Sequence, residues 1–345
     1  MKKVCVIGHF GFGKNLLNGQ TIKTKNITKE LENQLGANQI LKIDTHGGIK
    51  MLPIIIFNMF KAFNRCENII ILPAHNGIRI FVPLCNMMNV FYGRKLHYIV
   101  IGGWLPSFLS TRKRLIKSLK KFTGIYVETS IMKKQLIKQN FDNIIILKNF
   151  KDIDIVSIDQ LNFKYSQPLK ICTFSRVMKE KGLEDIVNAI IKINKKYNKI
   201  IYTLDIYGQV DSEQIEWFNE LTESFTPYIS YKGMVQFDKS VEVLKDYFLL
   251  VFPTLFYTEG IPGTILDAYA AGIPVLASKW ESFNDVIDDG ETGIGYEFAN
   301  IKELIKSLEL IYENPKIIIN MKKSCIEKAN QYLPNKIILT LLKQF

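Results

Sequence analysis

Apolar residues in this chain fall into short unbroken runs separated by longer stretches of helical spacing. The first run, Lys3–Gly8, does not alternate, as expected of a parallel strand covered on both faces. A loop with Gly8, Gly11, Gly13 and Gly19 follows, then a helix over Gln20–Gln34. Further strands are expected over Gln39–Asp44, Asn68–Pro73, Lys95–Gly102, Gly124–Thr129 and Asn143–Leu147, with helices over Ser110–Phe122 and Ile131–Asn140. Residues 151–168 are polar, end at Pro168 and break the rhythm, so they read as a linker. A second alternation then runs through strands at Leu169–Phe174, Ile200–Tyr207, Ile229–Lys232, Tyr247–Pro253 and Pro274–Ala277. Helices are expected at Gly182–Lys195, Ser240–Asp246 and Pro262–Ala271, and the end of the chain is helical. The pattern predicts an α/β protein with two doubly wound parallel-sheet domains, 1–160 and 168–330, and a cleft between them. A C-terminal helix near 331–345 is expected to return to the first domain.

Composition narrows the class. A chain of 345 residues suits two domains, and 47% hydrophobic with 23% charged residues is a globular balance. The net charge of +12 is uneven. Residues 1–160 hold 24 Lys and Arg against 9 Asp and Glu, whereas residues 161–345 hold 21 against 24. An anionic partner for the first half follows: a membrane surface or a phosphorylated substrate. There is no aromatic-rich nucleic-acid module, so nucleic acid is not expected. The cysteines Cys5, Cys66, Cys85, Cys172 and Cys325 have no metal-ligand spacing, which fits a reduced, cytoplasmic setting. Met1–Val4 runs into a strand without the look of a signal peptide, and the apolar run Met51–Phe60 is about half a membrane span. A peripheral position on the inner face of the membrane is the expectation. Arg112–Phe122 alternates bases with apolar residues and suits either an interfacial helix or a surface helix packed on the first sheet.

Two stretches carry chemistry. Tyr257–Ser278 reads as acidic loop, helix, tight turn, strand, with Gly260, Ile261, Pro262, Gly263 and Thr264 opening the helix about Glu259 and Asp267 about two turns in. Free N–H groups at that helix start make an anion site suited to a diphosphate. Ser175–Gly182, directly after a strand, sets Arg176 and Lys181 five apart over the same end of the sheet. Arg offers a planar fork for phosphate oxygens and Lys a movable point charge. Each stretch alone also reads as an ordinary crossover or capping loop. Asp152-Ile153-Asp154 has the spelling of a metal site but lies in the expected linker, so no metal is assigned.

Together, in this order and spacing, these stretches resemble the retaining glycosyltransferases of family 4, which have the GT-B fold of two facing Rossmann-like domains. Gly8–Thr21 looks like that family's glycine-rich loop. Val127–Ser130 with Ile146–Phe150 is similar to its domain-closing segment, and Ile206–Gly208 and Tyr231–Val235 look like its base-binding strand ends. The resemblance implies that Arg176 and Lys181 hold the donor diphosphate, that Glu259 contacts the transferred sugar, and that the Gly260–Thr264 backbone binds its hydroxyls and phosphate. Gly208, Met234 and Val235 would border the base, and Asp267 the ribose, where the family usually has Glu. Glu259, Arg176 and Lys181 are the implied catalytic set. In the first domain the implied acceptor-side residues are Gly11, Gly13, Gly19, Gln20, Thr21, Gly103 and Trp104. His75 is the candidate for a histidine that Gly102-Gly103 lacks. The resemblance implies a donor of UDP or GDP type, no metal cofactor, and a glycan or polyprenyl-linked acceptor in capsule, O-antigen (lipopolysaccharide) or exopolysaccharide synthesis. A sugar-nucleotide epimerase of the same fold and a non-catalytic nucleotide-sugar binding protein are the alternatives.

Overall fold

The computed structural model describes residues 2–14, 19–236 and 238–345. Met1, and positions 15–18 of the expected glycine-rich loop, lie outside the described residues. The chain divides into two compact units, Met1–Asp152 with Pro334–Phe345, and Ile153–Leu333.

The first unit alternates strand and helix: β1 (Lys2–Gly8), α1 (Gly19–Leu35), β2 (Ile40–Asp44), α2 (Leu52–Arg65), β3 (Cys66–Ile71), α3 (His75–Tyr92) and β4 (Lys95–Ile99). It continues through α4 (Leu105–Leu109), α5 (Lys113–Leu119), β5 (Gly124–Val127), α6 (Ser130–Lys138) and β6 (Ile144–Ile146). The sheet order is β2-β1-β3-β4-β5-β6, with parallel pairing throughout. Val4 to Ile7 are buried, because a central parallel strand is covered on both faces. Right-handed crossovers put α1 on one face, where the chain steps from β1 out to the edge. They put α2, α3, α5 and α6 on the other, where every step runs the opposite way.

Two expectations are corrected here. The single basic helix over Ser110–Phe122 is a shorter α5, with Arg112 in a non-helical conformation ahead of it. There the Arg112 guanidinium donates to the Phe108 carbonyl and lies over the Phe108 ring. Helices α2 and α3 occupy stretches to which the sequence pattern assigned no element.

The second unit comprises β7 (Leu169–Phe174), α7 (Leu183–Lys196), β8 (Tyr202–Tyr207), α8 (Ile215–Glu223), β9 (Ile229–Gly233), α9 (Ser240–Leu244) and β10 (Leu249–Phe252). It ends with α10 (Gly263–Ala270), β11 (Val275–Ser278), α11 (Phe283–Val286), β12 (Gly293–Tyr296), α12 (Ile301–Glu313) and α13 (Lys316–Ala329). Its parallel sheet runs β12-β11-β10-β7-β8-β9. Of residues 151–168, expected as a linker, those from Ile153 onward belong to this unit. The Val156 N–H donates to the Ala270 carbonyl at 2.8 Å, and Leu161 is buried against Gly272. The last helix, α14 (Pro334–Leu342), packs on α1 in the first unit. Each unit has its own core, one around Ile7, Ile69 and Tyr98, the other around Ile171, Ile190 and Leu276.

Candidate functional site

In an open doubly wound sheet, ligands bind beyond the carboxyl ends of the strands at the point where strand order reverses. In the second unit that point lies between β7 and β10. The loop after β7 carries Arg176 and Lys181, and the loop after β10 carries Thr254 and Glu259. Topology therefore brings together the two stretches that the sequence singled out, although they lie about eighty residues apart.

Side chains complete the arrangement. Lys181 Nζ donates to Glu259 Oε2 at 2.6 Å, and both groups are largely buried. Thr254 Oγ1 donates to the same oxygen at 3.3 Å and accepts the Phe256 N–H at 3.1 Å. The Ser278 hydroxyl donates to the Thr254 carbonyl at 2.6 Å and fixes this strand tip. The Lys181 ammonium also lies over the Phe256 ring at 5.1 Å. Arg176 is half exposed and donates to Asp211 Oδ2 at 3.2 Å. One guanidinium contact leaves most of its donor fork for another partner.

Two glycines make this geometry possible. A Cβ on Gly182 (φ 69°) would sit 1.9 Å from the Pro253 carbonyl oxygen, and one on Gly208 (φ 138°) 1.7 Å from that of Ser175. The strand-tip loops thus touch backbone to backbone, an approach closed to any side chain. The Tyr231 hydroxyl donates to the Gly208 carbonyl at 2.7 Å, and Met234 projects into solvent beyond the end of β9. Val235, next in sequence, is partly buried.

Helix α10 begins at Gly263, with Pro262 as the extended residue capping it rather than lying inside it. Asp267 is accordingly one turn into the helix, not two, and is buried. Gly263 has open space where a side chain would be. The Thr264 hydroxyl, in the first turn, is buried without a hydrogen-bond partner. It is one of seven such buried side-chain atoms among the described residues, and the one that lies at this helix start.

The first unit has its own reversal, between β1 and β3. The glycine loop follows β1, with positive φ at Gly11 (60°) and Gly13 (76°), and Gly19 opens α1. The Asp44 carboxylate, at the end of β2, accepts the N–H groups of Phe10, Phe12 and His46, each at 2.9 Å. Desolvation opposes its charge, but these loop amides hold its carboxyl below the usual range. His46 Nδ1 meets His9 Nε2 at 3.0 Å, and His9 Nδ1 meets Thr21 Oγ1 at 2.7 Å. Burial, then the neighbouring His46, pushes His9 down. Gln20 Nε2 reaches the Leu72 carbonyl at 3.3 Å. From α1, the buried Lys23 pairs with the buried Glu128 and donates to the Val100 carbonyl at 2.9 Å. Thr129 caps α6 by accepting the Met132 N–H.

After β3, His75 stacks on Trp104 with ring centroids 3.9 Å apart. Trp104 in turn donates its Nε1–H to the Ile101 carbonyl at 2.7 Å, next to Gly102 and Gly103. Partial burial lowers the His75 pKa. The structure thus joins His75 to the Gly103-Trp104 turn, and Gly11 and Thr21 to the His9–His46–Asp44 chain, while Gln20 turns to the end of β3.

Sequence reasoning missed His9, Asp44 and His46 in the first unit, and Asp211, Thr254 and Ser278 in the second. The signal available was position alone, since each sits at or just beyond the carboxyl end of a strand. Among the described residues, no three His, Cys, Asp or Glu side chains could hold a metal ion. No described helix is long and apolar enough to cross a membrane.

Comparison with known proteins agrees with this geometry. A model of the family described as Glycosyl transferases group 1 matches residues 168–314, the part that holds the β7–β10 site. An uncharacterized glycosyltransferase of Methanocaldococcus jannaschii is 26% identical over 230 residues, covering 64% of this chain and 56% of that protein. The N,N'-diacetylbacillosaminyl-diphospho-undecaprenol alpha-1,3-N-acetylgalactosaminyltransferase of Campylobacter jejuni is 24% identical over 228 residues, covering 66% of this chain and 51% of that one. The chain thus spans about half the length of these two curated relatives. In fold, the crystal structure of HepE from Anabaena, solved with UDP and glucose, superposes with a TM-score of 0.75 over 99% of both chains at 13% identity. The fold is GT-B, two Rossmann-like domains, and the second unit carries the match to the glycosyl transferases group 1 family.

Proposed function

We propose that this chain is a retaining glycosyltransferase. It takes a sugar from a nucleoside diphosphate donor of UDP or GDP type and passes it to a glycan or polyprenyl-linked glycan. The setting is bacterial capsule, O-antigen or exopolysaccharide synthesis at the inner, anionic face of the cell membrane. The observation that carries this reading is the meeting of Lys181 and Glu259 beside the first turn of α10, where the Thr264 hydroxyl is buried and unpaired. A diphosphate there would receive the N–H groups of α10, the Lys181 ammonium and the Arg176 fork. These groups meet the negative charge that develops on the leaving nucleotide, and such preorganised stabilisation is usually the largest catalytic contribution. No bound metal is then needed for that task. Glu259 would face the transferred sugar, whose departing carbon gains positive charge. Attack from the leaving-group side retains configuration and uses no protein nucleophile. Gly208, Met234 and Val235 would border the base, and Asp267 the ribose. Glycine-loop residues, with His75, Gly103 and Trp104, would face the acceptor. HepE's complex with UDP supports the donor class, and the undecaprenol in the Campylobacter relative's name supports a lipid-linked acceptor.

The test is a thermal-shift screen of UDP, GDP, CDP, ADP and their sugar conjugates on the wild type and Arg176→Ala. A ligand bound by the native state alone raises the melting temperature by mass action. One nucleotide family should stabilise the wild type, and Arg176→Ala should abolish the shift. Absence of any shift would overturn the donor site. Binding without transfer to any lipid-linked or free glycan acceptor would favour the non-catalytic alternative.

A further inference from the structure

The face of the first sheet covered by α2, α3 and α5 is built the wrong way round for water. On α2, Ile54, Phe57 and Phe60 are exposed while Ile55, Met59, Ala62 and Phe63 face the core. On α3, Met87, Val90 and Phe91 are exposed, Phe91 to 83%. The outward stripe of α2 reads Ile54, Phe57, Lys61, Arg65, with Lys50 in the turn just ahead of it, so it is apolar in the middle and flanked by bases. Lys61 Nζ lies 4.2 Å from the Phe57 ring centre. Helix α2 packs beside α3, and α3 beside α5, so their outer surfaces form one layer. Helix α5 adds Lys113, Arg114 and Lys117 to its surface. From residue 45 to residue 127 there are twelve Lys and Arg and a single acid, Glu67, which is held by Lys3.

Contiguous exposed apolar side chains mark an interaction site rather than a normal surface. Aromatic and aliphatic residues ringed by lysine and arginine, without carboxylates, complement a surface that is apolar within and anionic outside. We infer that the α2–α3 face is a bilayer-docking surface: Phe57, Phe60, Val90 and Phe91 enter the headgroup boundary, and the basic residues of α2 and α5 engage anionic lipid. The choice of a bilayer rests on the lipid-linked acceptor proposed above. Insertion is thereby assigned to α2 and α3, and α5 acts by charge alone.

The experiment is flotation of the full chain with vesicles of phosphatidylcholine alone or with phosphatidylglycerol. Wild type is compared with Phe57→Ser/Phe91→Ser and with Lys113→Glu/Arg114→Glu. Anionic vesicles should float the wild type and neutral ones should float little. Losing two aromatic anchors should weaken partition at least about tenfold. Reversing two charges should weaken binding to anionic vesicles about tenfold or more and erase the preference for them. Both substitutions lie on the surface, so melting temperature and the nucleotide-induced shift should be unchanged. That shift separates this inference from the donor reading, because either can fail while the other stands. Failure of anionic vesicles to retain the wild type would overturn the inference, as would unaltered flotation of the serine variant. A concentration-dependent dimer that the serine variant abolishes, without flotation, would also overturn it by showing that a second copy covers the face.

Discussion

The two units share one plan and use it differently. Each is a six-stranded parallel sheet with a reversal of strand order, and each gathers polar residues at that reversal. At β7 and β10 the second unit collects cations, a carboxylate and a helix start. At β1 and β3 the first unit collects two histidines, an aspartate that ties its own loop, and a His–Trp stack. The second unit, Ile153–Leu333, holds 19 Lys and Arg against 26 Asp and Glu, yet sets two cations at its strand-order reversal, whereas the basic first unit spreads positive charge over an outer face. One fold serves two tasks because topology fixes where a site forms, while loop side chains fix what it binds.

The sharpest break should come from the buried pair in the first unit. Lys23→Met takes the ammonium away from the buried Glu128 carboxylate, and the unfolding free energy in urea should fall by about 3–5 kcal/mol. Nucleotide-induced shifts per native molecule should persist, since the donor residues lie in the other unit; a lost shift at retained fold would sink the division of labour. Next comes Lys181→Ala, which removes a donor to the leaving group and releases Glu259. Transfer should drop about 10²–10³-fold with little change in melting temperature.

A smaller effect is expected at Gly208. The alanine variant forces backbone apart at Ser175, at about 1–3 kcal/mol of strain, and should weaken nucleotide affinity as the Arg176 loop shifts. Wild-type affinity in Gly208→Ala would show that the loop contact is dispensable. A pH dependence completes the set. His97, hydrogen-bonded to Tyr126 and Asn68, has its pKa pushed by burial from 6.5 to about 3. It stays neutral in the fold while the unfolded chain takes up a proton below 6.5. Its contribution is therefore complete above pH 6.5 and is lost progressively between 6.5 and about 3, at up to about 1.4 kcal/mol per pH unit. Urea titrations should show a shallower slope in that window for His97→Gln.

Much of this was legible in one dimension. Strands β1, β5 and β10 carry continuous apolar runs because both faces of a parallel strand are buried, and that needs no partner to be recognised. Arg176, Lys181 and Glu259 were visible because they sit beside glycines at strand-to-helix turns. Helices α2 and α3 were not legible, and the reason is physical. Their outward faces carry Ile54, Phe57, Val90 and Phe91, so the stretches read as apolar throughout, and Pro53 at the start of α2 and Pro83 inside α3 interrupt the helical pattern. Helix α5 was over-read for the converse reason, its basic–apolar alternation running past the turn at Arg112.

By itself, then, the sequence determined the fold class, the two stretches that meet at the β7–β10 reversal and the imbalance of charge, all properties of local pattern and composition. Tertiary structure alone decided that Lys181 meets Glu259 across 78 residues, that Asp44 and two histidines brace the glycine loop, and that apolar side chains of α2 and α3 share one outer face. Those relations arise from strand order and crossover handedness, which join distant segments and leave no trace in the spacing along the chain.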